Sequence, residues 1–284
     1  MKFVTFEHHN HTHAGVLSGE NVISLASAGF ATVLDIVNGG PEALHRVKGL
    51  AETGAPDASF PLSSVKLHAP IPRPRKIICI GLNYRDHAIE SKLEIPTIPV
   101  VFSKYASSVI GPGANIVLPK NSVKPDYEAE LAVVIGKNAR HAKAEDWREY
   151  VFGYTNLNDV SARDFQMATS QWMIGKTFDT FAPMGPYLVT ADEISDPHNL
   201  NISLTINGEI LQNSNTRELI FRIPELIAYL SSVFTLEPGD VISTGTPSGV
   251  GFSYSPPRWL RAGDSVTVKV QGLGELTNPV VAEI

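Results

Sequence analysis

The stretch KPDYEAELAVVIGKN, residues 124–138, decides how the rest of the chain is interpreted. Its second half, Leu131 to Ile135, is an uninterrupted apolar run typical of a buried strand. Glu128 and Glu130 enter this run one residue apart. Because side chains alternate between the faces of a strand, the two glutamates share one face and lie about 7 Å apart along it. Either they are solvated on an exposed strand, or one hard cation offsets the several kcal/mol that burying them costs.

A third carboxylate able to complete such a site lies in GYTNLNDVSARDFQ, residues 153–166. Asp159 follows an apolar and aromatic stretch and opens a helix predicted over residues 160–170, where capping is its ordinary role. Arg163 and Gln166 follow four and seven residues later, on the same predicted helical face. An all-oxygen ligand set suits Mg²⁺, Mn²⁺ or Ca²⁺ better than zinc.

Three other segments carry groups suited to catalysis or binding. His87 and Glu90 in GLNYRDHAIES are spaced i, i+3, so in a helix the carboxylate would face the imidazole and make it a better base, although ordinary surface pairs share this spacing. Lys176 lies among apolar and aromatic residues, where a lysine either extends to solvent or neutralises an anion. The loop PGDVISTGTPSGVGF, residues 238–252, lacks the Gly-Lys-Ser/Thr ending of a phosphate-binding loop. Its backbone amides are nevertheless suited to binding a carboxylate.

The composition excludes several classes of protein. Of the 284 residues, 43% are hydrophobic and 18% charged, as in ordinary globular proteins. No apolar stretch reaches the roughly 20 residues of a membrane helix, and the N-terminus lacks the apolar core of a signal peptide. The net charge of -6 argues against a nucleic-acid partner. The single cysteine, Cys79, excludes internal disulfides, and we expect a cytosolic protein.

Two domains are predicted from the distribution of turn signals. Residues 1–69 are predicted to form a small N-terminal α+β domain, with strands at MKFVTF and NVISL, a turn at GVLSG, and a helix from Ala43 to Thr53. The proline-rich HAPIPRPRK, residues 68–76, indicates the boundary. Residues 70–284 are predicted to form a mainly β domain, with a helix over residues 224–233 that has proline in its first turn.

Several of these blocks together resemble the fumarylacetoacetate hydrolase family. The resemblance extends over roughly residues 70–283 and rests on IGLNYRDHAIE, DYEAELAVVIGK, GYTNLNDVSARDFQ, QWMIGKTFDTFAPMGP and LEPGDVISTGTPSGVGF. It implies an α+β fold, mainly a mixed β-roll with peripheral helices, usually assembled as a homodimer. Residues 1–69 resemble the variable N-terminal domain of that family only loosely.

The resemblance also assigns roles to individual residues. It implies a divalent metal ion, commonly Mg²⁺, held by Glu128, Glu130 and Asp159. In the acylpyruvate hydrolase and oxaloacetate decarboxylase branch, a dyad matching His87 and Glu90 activates water. Groups that polarise the oxygens of the substrate match Lys176 and Gln166, and the remaining substrate-binding positions match Arg163, Lys104, Tyr105 and Thr246. The family more often has proline where this chain has Tyr105.

The implied substrate is a small 2-oxo or 1,3-dicarbonyl acid. The resemblance favours hydrolysis of a C–C bond in a 2,4-dioxo acid of acylpyruvate type, through a metal-bound enolate. The same chemistry serves decarboxylation of a β-keto acid such as oxaloacetate, and hydration, tautomerisation or isomerisation of a 2-keto-enoate. A further alternative is a family member that binds the metal but has lost catalysis. The presence of all three carboxylates, the His87–Glu90 dyad and Lys176 argues against this alternative.

Overall fold

Strands provide most of the regular structure in the computed structural model, which describes residues 1–284. In chain order they are β1 (Lys2–His8), β2 (His11–Ser18), β3 (Asn21–Ser24), β4 (Ser59–Pro61), β5 (Lys66–His68), β6 (Ile77–Gly81), β7 (Val100–Lys104), β8 (Val109–Ile110), β9 (Ile116–Leu118), β10 (Pro125–Asp126), β11 (Ala129–Ile135), β12 (Val151–Asn158), β13 (Ser161–Ala162), β14 (Ala182–Thr190), β15 (Asn201–Ile206), β16 (Glu209–Asn215), β17 (Val241–Ser243), β18 (Ser265–Val270) and β19 (Glu275–Ala282).

The helices are few and mostly short. The α-helices are α1 (Val33–Thr53), α2 (Arg85–Glu90), α3 (Arg163–Gln166), α4 (Met173–Lys176) and α5 (Ile223–Val233). Short 3₁₀ helices cover Ala26–Ala28, Pro56–Ala58, Leu62–Ser64, Ala106–Ser108, Ala144–Tyr150, Ala191–Glu193, Thr216–Glu218 and Gly251–Ser253. None of these helices combines the length and the apolar character needed to cross a bilayer.

The strands form one large sheet, one smaller sheet and a short pair. The hydrogen-bonded order of the large sheet is β4-β3-β2-β1-β14-β12-β11-β17-β6-β7, with β5 added to β1 and β8 to β14. The second sheet is ordered β16-β15-β18-β19-β9, and β10 pairs with β13. Side chains of both larger sheets share one hydrophobic core. This mixed, mainly β architecture with peripheral helices confirms the predicted α+β class.

The apolar run that follows Glu130 forms β11, and all seven residues of this strand are buried. Leu131 and Val133 pack into the core shared with the second sheet. Ala132 and Val134, on the opposite face, pack into a second core with residues of the N-terminal segment. The prediction of a buried strand is therefore confirmed, and the burial extends to both faces.

The N-terminal segment extends the large sheet, because β1 pairs antiparallel with β14. The turn predicted at GVLSG is confirmed only for its last residue, Gly19, which follows β2 with a φ of 59°. Gly15 lies inside β2, where a side chain would collide with Val22 and Phe6 on the neighbouring strands. The backbone of α1 is kinked at Gly40, which has a non-helical φ of 56° and is followed by Pro41. The helix predicted from Ala43 to Thr53 corresponds to the part after this kink, and the part before it begins at Val33, after a capping box formed by Thr32 and Asp35. The division of the chain at residue 69 stays a prediction.

The helix predicted over residues 160–170 is also wrong. Ser161–Ala162 form β13 and pair with Pro125–Asp126, and the Arg163 N–H donates to the Lys124 carbonyl at 3.0 Å. These backbone groups are therefore engaged with β10, and only Arg163–Gln166 is helical. The helix predicted over residues 224–233 is confirmed as α5.

Asn156, a fully buried residue of β12, links the two larger sheets through its side chain. Its Nδ2 donates to the Gly185 carbonyl at 2.9 Å and the Leu273 carbonyl at 3.2 Å. Its Oδ1 accepts from the Val270 N–H at 2.8 Å. One carboxamide thus satisfies backbone groups of both sheets.

We expect Asn156→Ala to lower the free energy of unfolding by about 1–3 kcal/mol, because buried backbone groups lose their partners. Urea denaturation measures the effect. Asn213→Ala, at an exposed position of β16, is the matched control and should change stability by less than about 0.5 kcal/mol. Equal losses in the two variants would contradict this role of Asn156.

Candidate functional site

The register of β11 and β12 brings three acidic side chains together. Ala129 pairs with Asn158, so Glu128 and Asp159 lie at the same end of the two strands, and the Asp159 N–H donates to the Glu128 carbonyl at 2.9 Å. Carboxylate oxygens of Glu128, Glu130 and Asp159 lie within 4.8 Å of one another, and all three residues are buried. The structure therefore assembles the predicted set of carboxylates, here called the acidic triad.

Two buried lysines neutralise part of the acidic triad. Lys104 Nζ donates to Asp159 Oδ1 at 2.5 Å and to the Val160 carbonyl at 3.1 Å. Lys176 Nζ lies 2.8 Å from Glu128 Oε2 and 3.0 Å from Asp159 Oδ2. Burial lowers the pKa of Lys176, but the charges of Asp159 and Glu128 outweigh it and raise the pKa overall. Of the two interpretations open for Lys176, neutralisation of an anion is the observed one.

Arg163 supplies a third buried positive charge. Its Nε donates to Asp126 Oδ2 at 2.8 Å, and its Nη1 donates to Gln166 Oε1 at 2.8 Å. Its Nη2 lies 2.7 Å from Glu128 Oε1, an ion pair in which the N–H is not aligned with the oxygen. Burial raises the pKa of Glu128, but Lys176 and Arg163 outweigh it, so this pKa lies below its ordinary value.

Glu130 is the member of the acidic triad without a basic partner. It accepts hydrogen bonds from the Ser243 hydroxyl and, at 2.8 Å, from the Gly245 N–H. Burial raises the pKa of Glu130 well above its ordinary value, and the negative charges of Asp159 and Glu128 raise it further. A divalent cation bound by three converging carboxylates would supply the missing positive charge. The residues present therefore fit a divalent metal ion, and the isolated charge of Glu130 is the observation that supports it.

His87 and Glu90 face each other on α2, as their spacing predicts. His87 Nδ1 lies 3.4 Å from Glu90 Oε2, and the Gly249 N–H donates to both Glu90 oxygens, at 2.9 and 3.1 Å. Burial raises the pKa of Glu90, but the hydrogen bonds from His87 and Gly249 outweigh it and lower the pKa overall. Because Nδ1 faces the carboxylate, Nε2 is the ring nitrogen left for a ligand.

One cavity of about 700 Å³ joins the dyad to the acidic triad. Its polar end is lined by His87, Glu128, Glu130, Arg163, Gln166, Lys176 and Thr246. Its other walls are mainly apolar and include Leu93, Phe102, Met167, Trp172, Phe252 and Trp259. Gly81 leaves room for the indole of Trp172, because a side chain there would collide with this ring. Polar groups that converge at one end of a cavity with apolar walls are typical of a small-molecule site.

Two of the predicted substrate-contacting side chains already have protein partners. The Gln166 oxygen accepts from Arg163, which leaves its NH₂ group as a donor toward the cavity. The Thr246 hydroxyl donates to the Ala129 carbonyl at 3.0 Å and accepts from Gln212 Nε2 at 2.9 Å. Thr246 thus lines the cavity while its hydroxyl is occupied.

The structure does not bring Lys104 and Tyr105 into the cavity. Lys104 is only 3% exposed and lies beneath the acidic triad, bound to Asp159. Tyr105 lies just after the end of β7, is 53% exposed and does not line this cavity. Its role as a substrate contact therefore has no geometric support here, whereas Phe102 does line the cavity.

Three residues that build the site were not predicted from the sequence: Asp126, Gln212 and Ser243. Asp126 holds Arg163, Ser243 donates to Glu130, and Gln212 Oε1 accepts from the Ala129 N–H at 2.8 Å. Asp126 alone carried a signal, because it is a further charged residue at the entrance to a strand predicted to be buried.

Comparison with known proteins adds independent information. Residues 76–281 match the family described as fumarylacetoacetate (FAA) hydrolase, C-terminal. The chain is 45% identical to oxaloacetate tautomerase Fahd2a, mitochondrial, from Rattus norvegicus, over 99% of this chain and 92% of the relative. It is 52% identical to oxaloacetate tautomerase fahd2, mitochondrial, from Xenopus laevis, over 77% of this chain and 69% of the relative. The solved structure of maleylpyruvate hydrolase from Sphingobium sp. SYK-6 with manganese(II) and pyruvate has a TM-score of 0.83 and 32% identity, with 100% of both chains covered.

The expectation of a cytosolic protein is contradicted by these relatives, because the names of both tautomerases place them in mitochondria. A single cysteine argues only against an oxidising compartment, and it does not distinguish one reducing compartment from another.

The family match covers most of the chain and includes the acidic triad, Lys176 and the His87–Glu90 pair. The identity to the two tautomerases and the agreement in fold with the solved structure point the same way. This chain is an enzyme of the fumarylacetoacetate hydrolase family.

Proposed function

We propose that this enzyme uses a divalent metal ion, most simply Mg²⁺, to interconvert the keto and enol forms of a small 2-oxo acid of the oxaloacetate class. The observation that carries the proposal is the cavity that joins the acidic triad to the His87–Glu90 dyad. The two relatives named oxaloacetate tautomerase add support through their 45% and 52% identity.

Tautomerisation moves one proton from carbon C3 of the acid to the oxygen at C2. His87 is the proposed base, since its Nδ1 faces Glu90 and its Nε2 is left to accept the C3 proton. Glu90 stabilises the imidazolium that forms, and the Gly249 N–H holds the carboxylate in place. His87 then returns the proton to the C2 oxygen, so the C–H bond that breaks is balanced by the O–H bond that forms.

Other residues bind and orient the acid during this transfer. Lys176 uses two of its donors on Glu128 and Asp159, which leaves a third for a substrate oxygen. The NH₂ group of Gln166 is a second donor beside it. A divalent ion held by the acidic triad would act as a Lewis acid toward the oxygens of the 2-oxo acid. Removing one donor to a developing oxyanion typically costs about 3 kcal/mol of barrier.

Hydrolysis of a C–C bond in a 2,4-dioxo acid is the second candidate. The same His87 is placed to deprotonate a water molecule, and the apolar walls leave space for an acyl chain. The similarity to maleylpyruvate hydrolase supports it at 32% identity. Decarboxylation of a β-keto acid would use the same donors without a base. We place tautomerisation first because the dyad is sufficient for it and the relatives of higher identity carry that name.

The small-molecule partner and the homodimer also remain proposals. Three apolar side chains are exposed together: Val101 on the edge strand β7, Tyr105 just after it, and Ile174 on α4. They form an apolar patch that suits contact with a second copy of the chain. Light scattering on the purified protein should give twice the 30.8 kDa chain mass. A monomer at micromolar concentration would count against a stable dimer.

We expect Glu130→Gln to abolish turnover, because it removes the ligand charge that no basic residue balances. Outer-shell partners of metal ligands typically contribute 10–100-fold in affinity, so loss of a ligand should weaken Mn²⁺ binding by more than about 100-fold. Isothermal titration calorimetry measures this, with Glu145→Gln at an exposed position as the control. Wild-type affinity in Glu130→Gln would exclude the acidic triad as the metal site.

We expect His87→Gln to lower kcat for oxaloacetate tautomerisation by about 10²–10⁴-fold, the usual contribution of a general base, and to leave Mn²⁺ affinity unchanged. The ultraviolet absorbance of the enol gives the rate, and His45→Gln, exposed on α1, is the control.

An acylpyruvate is assayed beside oxaloacetate to separate the candidate reactions. Release of pyruvate from the acylpyruvate, with no effect on the enol of oxaloacetate, would establish hydrolysis instead. Full tautomerase activity in His87→Gln would exclude His87 as the base.

A further inference from the structure

Asp126 is a completely buried carboxylate. Its Oδ2 accepts from Arg163 Nε at 2.8 Å and from the Phe252 N–H at 3.1 Å. Its Oδ1 accepts from the Gly251 N–H at 2.7 Å and from the Tyr127 N–H at 2.9 Å. The carboxylate therefore connects Arg163, beside the acidic triad, to the segment Gly249–Ser253, here called the glycine loop.

The glycine loop binds the dyad on its other side. The Gly249 N–H donates to both oxygens of Glu90, two residues before the amide held by Asp126. The Phe252 ring lies edge-on to the His87 ring, with 6.3 Å between centroids, and 4.7 Å from the Arg163 guanidinium carbon. One short loop thus contacts both members of the dyad and Arg163 beside the acidic triad.

The glycines of this loop are what allow so close an approach. Gly249 has a φ of 95°, and a side chain there would collide with the Leu211 carbonyl. A side chain at Gly251 would collide with the Arg258 carbonyl and with Asp126 Oδ1 itself. The contact between Asp126 and the loop therefore depends on the absence of a Cβ at residue 251.

We propose that Asp126 is a positioning residue that sets the distance between the dyad and the acidic triad. It fixes the glycine loop against Arg163, the loop fixes Glu90, and Glu90 orients the imidazole of His87. Asp126 does not line the cavity and acts only through these groups. The inference rests on the proposed function only for the measurements of kcat. The measurements of hydrogen exchange do not depend on it.

Asp126→Asn tests the proposal, because the carboxamide keeps the shape but loses one of the two acceptor oxygens. We expect faster hydrogen exchange at the Gly249, Gly251 and Phe252 amides, and a kcat about 10–100-fold lower, as for other groups that orient a reacting side chain through hydrogen bonds. Mn²⁺ affinity and KM should stay within about threefold of wild type, since the acidic triad and the cavity lining are unchanged. Asp240→Asn is the matched control, a buried aspartate that binds Lys76 instead.

A double-mutant cycle with Glu90→Gln identifies the route of the effect. If Asp126 acts through Glu90, Asp126→Asn should lower kcat less than about twofold in the Glu90→Gln background. Full additivity of the two losses would overturn the proposal, and so would unchanged exchange in the glycine loop or an equal loss in Asp240→Asn.

Gly251→Ala replaces Asp126→Asn if that variant does not fold, because it separates the loop from an intact Asp126. It should give the same faster exchange and the same loss of kcat. If the wild-type enzyme does not tautomerise oxaloacetate, the proposed function fails, while the exchange measurement still tests the coupling.

Discussion

The structure depends on the balance of charge at the adjoining ends of β11 and β12. Four carboxylates are buried there, and three basic side chains approach them from separate parts of the chain. The carboxylates are Asp126, Glu128, Glu130 and Asp159, and the bases are Lys104, Lys176 and Arg163. Since a buried charge is tolerated only when it is paired, β7, α3 and α4 must all converge on this point. The packing of the peripheral elements is thus set by the electrostatics of the centre, where Glu130 alone has no basic partner.

The sequence was most informative where one strand carried two independent signals. The apolar run predicted β11. The spacing of Glu128 and Glu130, two residues apart on an alternating strand, predicted that they share one face. Asp159 belongs to the acidic triad for a different reason than the sequence suggested, because it directly follows the end of β12 and does not begin a helix. Its place beside Glu128 comes from antiparallel register, which residue spacing within a single segment does not contain.

The failed predictions concern residues whose surroundings come from distant parts of the chain. The backbone of Ser161 and Ala162 pairs with β10, so local helical periodicity had no influence there. Gly15 was taken as a turn signal, yet it serves close packing between strands. In each case a tertiary contact overrides a local preference, and only the three-dimensional arrangement contains it.

The two-sided burial of β11 has a consequence for the fidelity of folding. A slip of one residue in its pairing would turn every side chain to the opposite face. Glu130 would then enter an apolar core without any of the partners that surround it now, and Leu131 would take its place among the charges. Such a mispaired chain carries an electrostatic penalty on one face and a packing defect on the other. The charged groups that make the site chemically useful thus also discriminate against the wrong register, so a chain that folds to completion has its reactive groups in place.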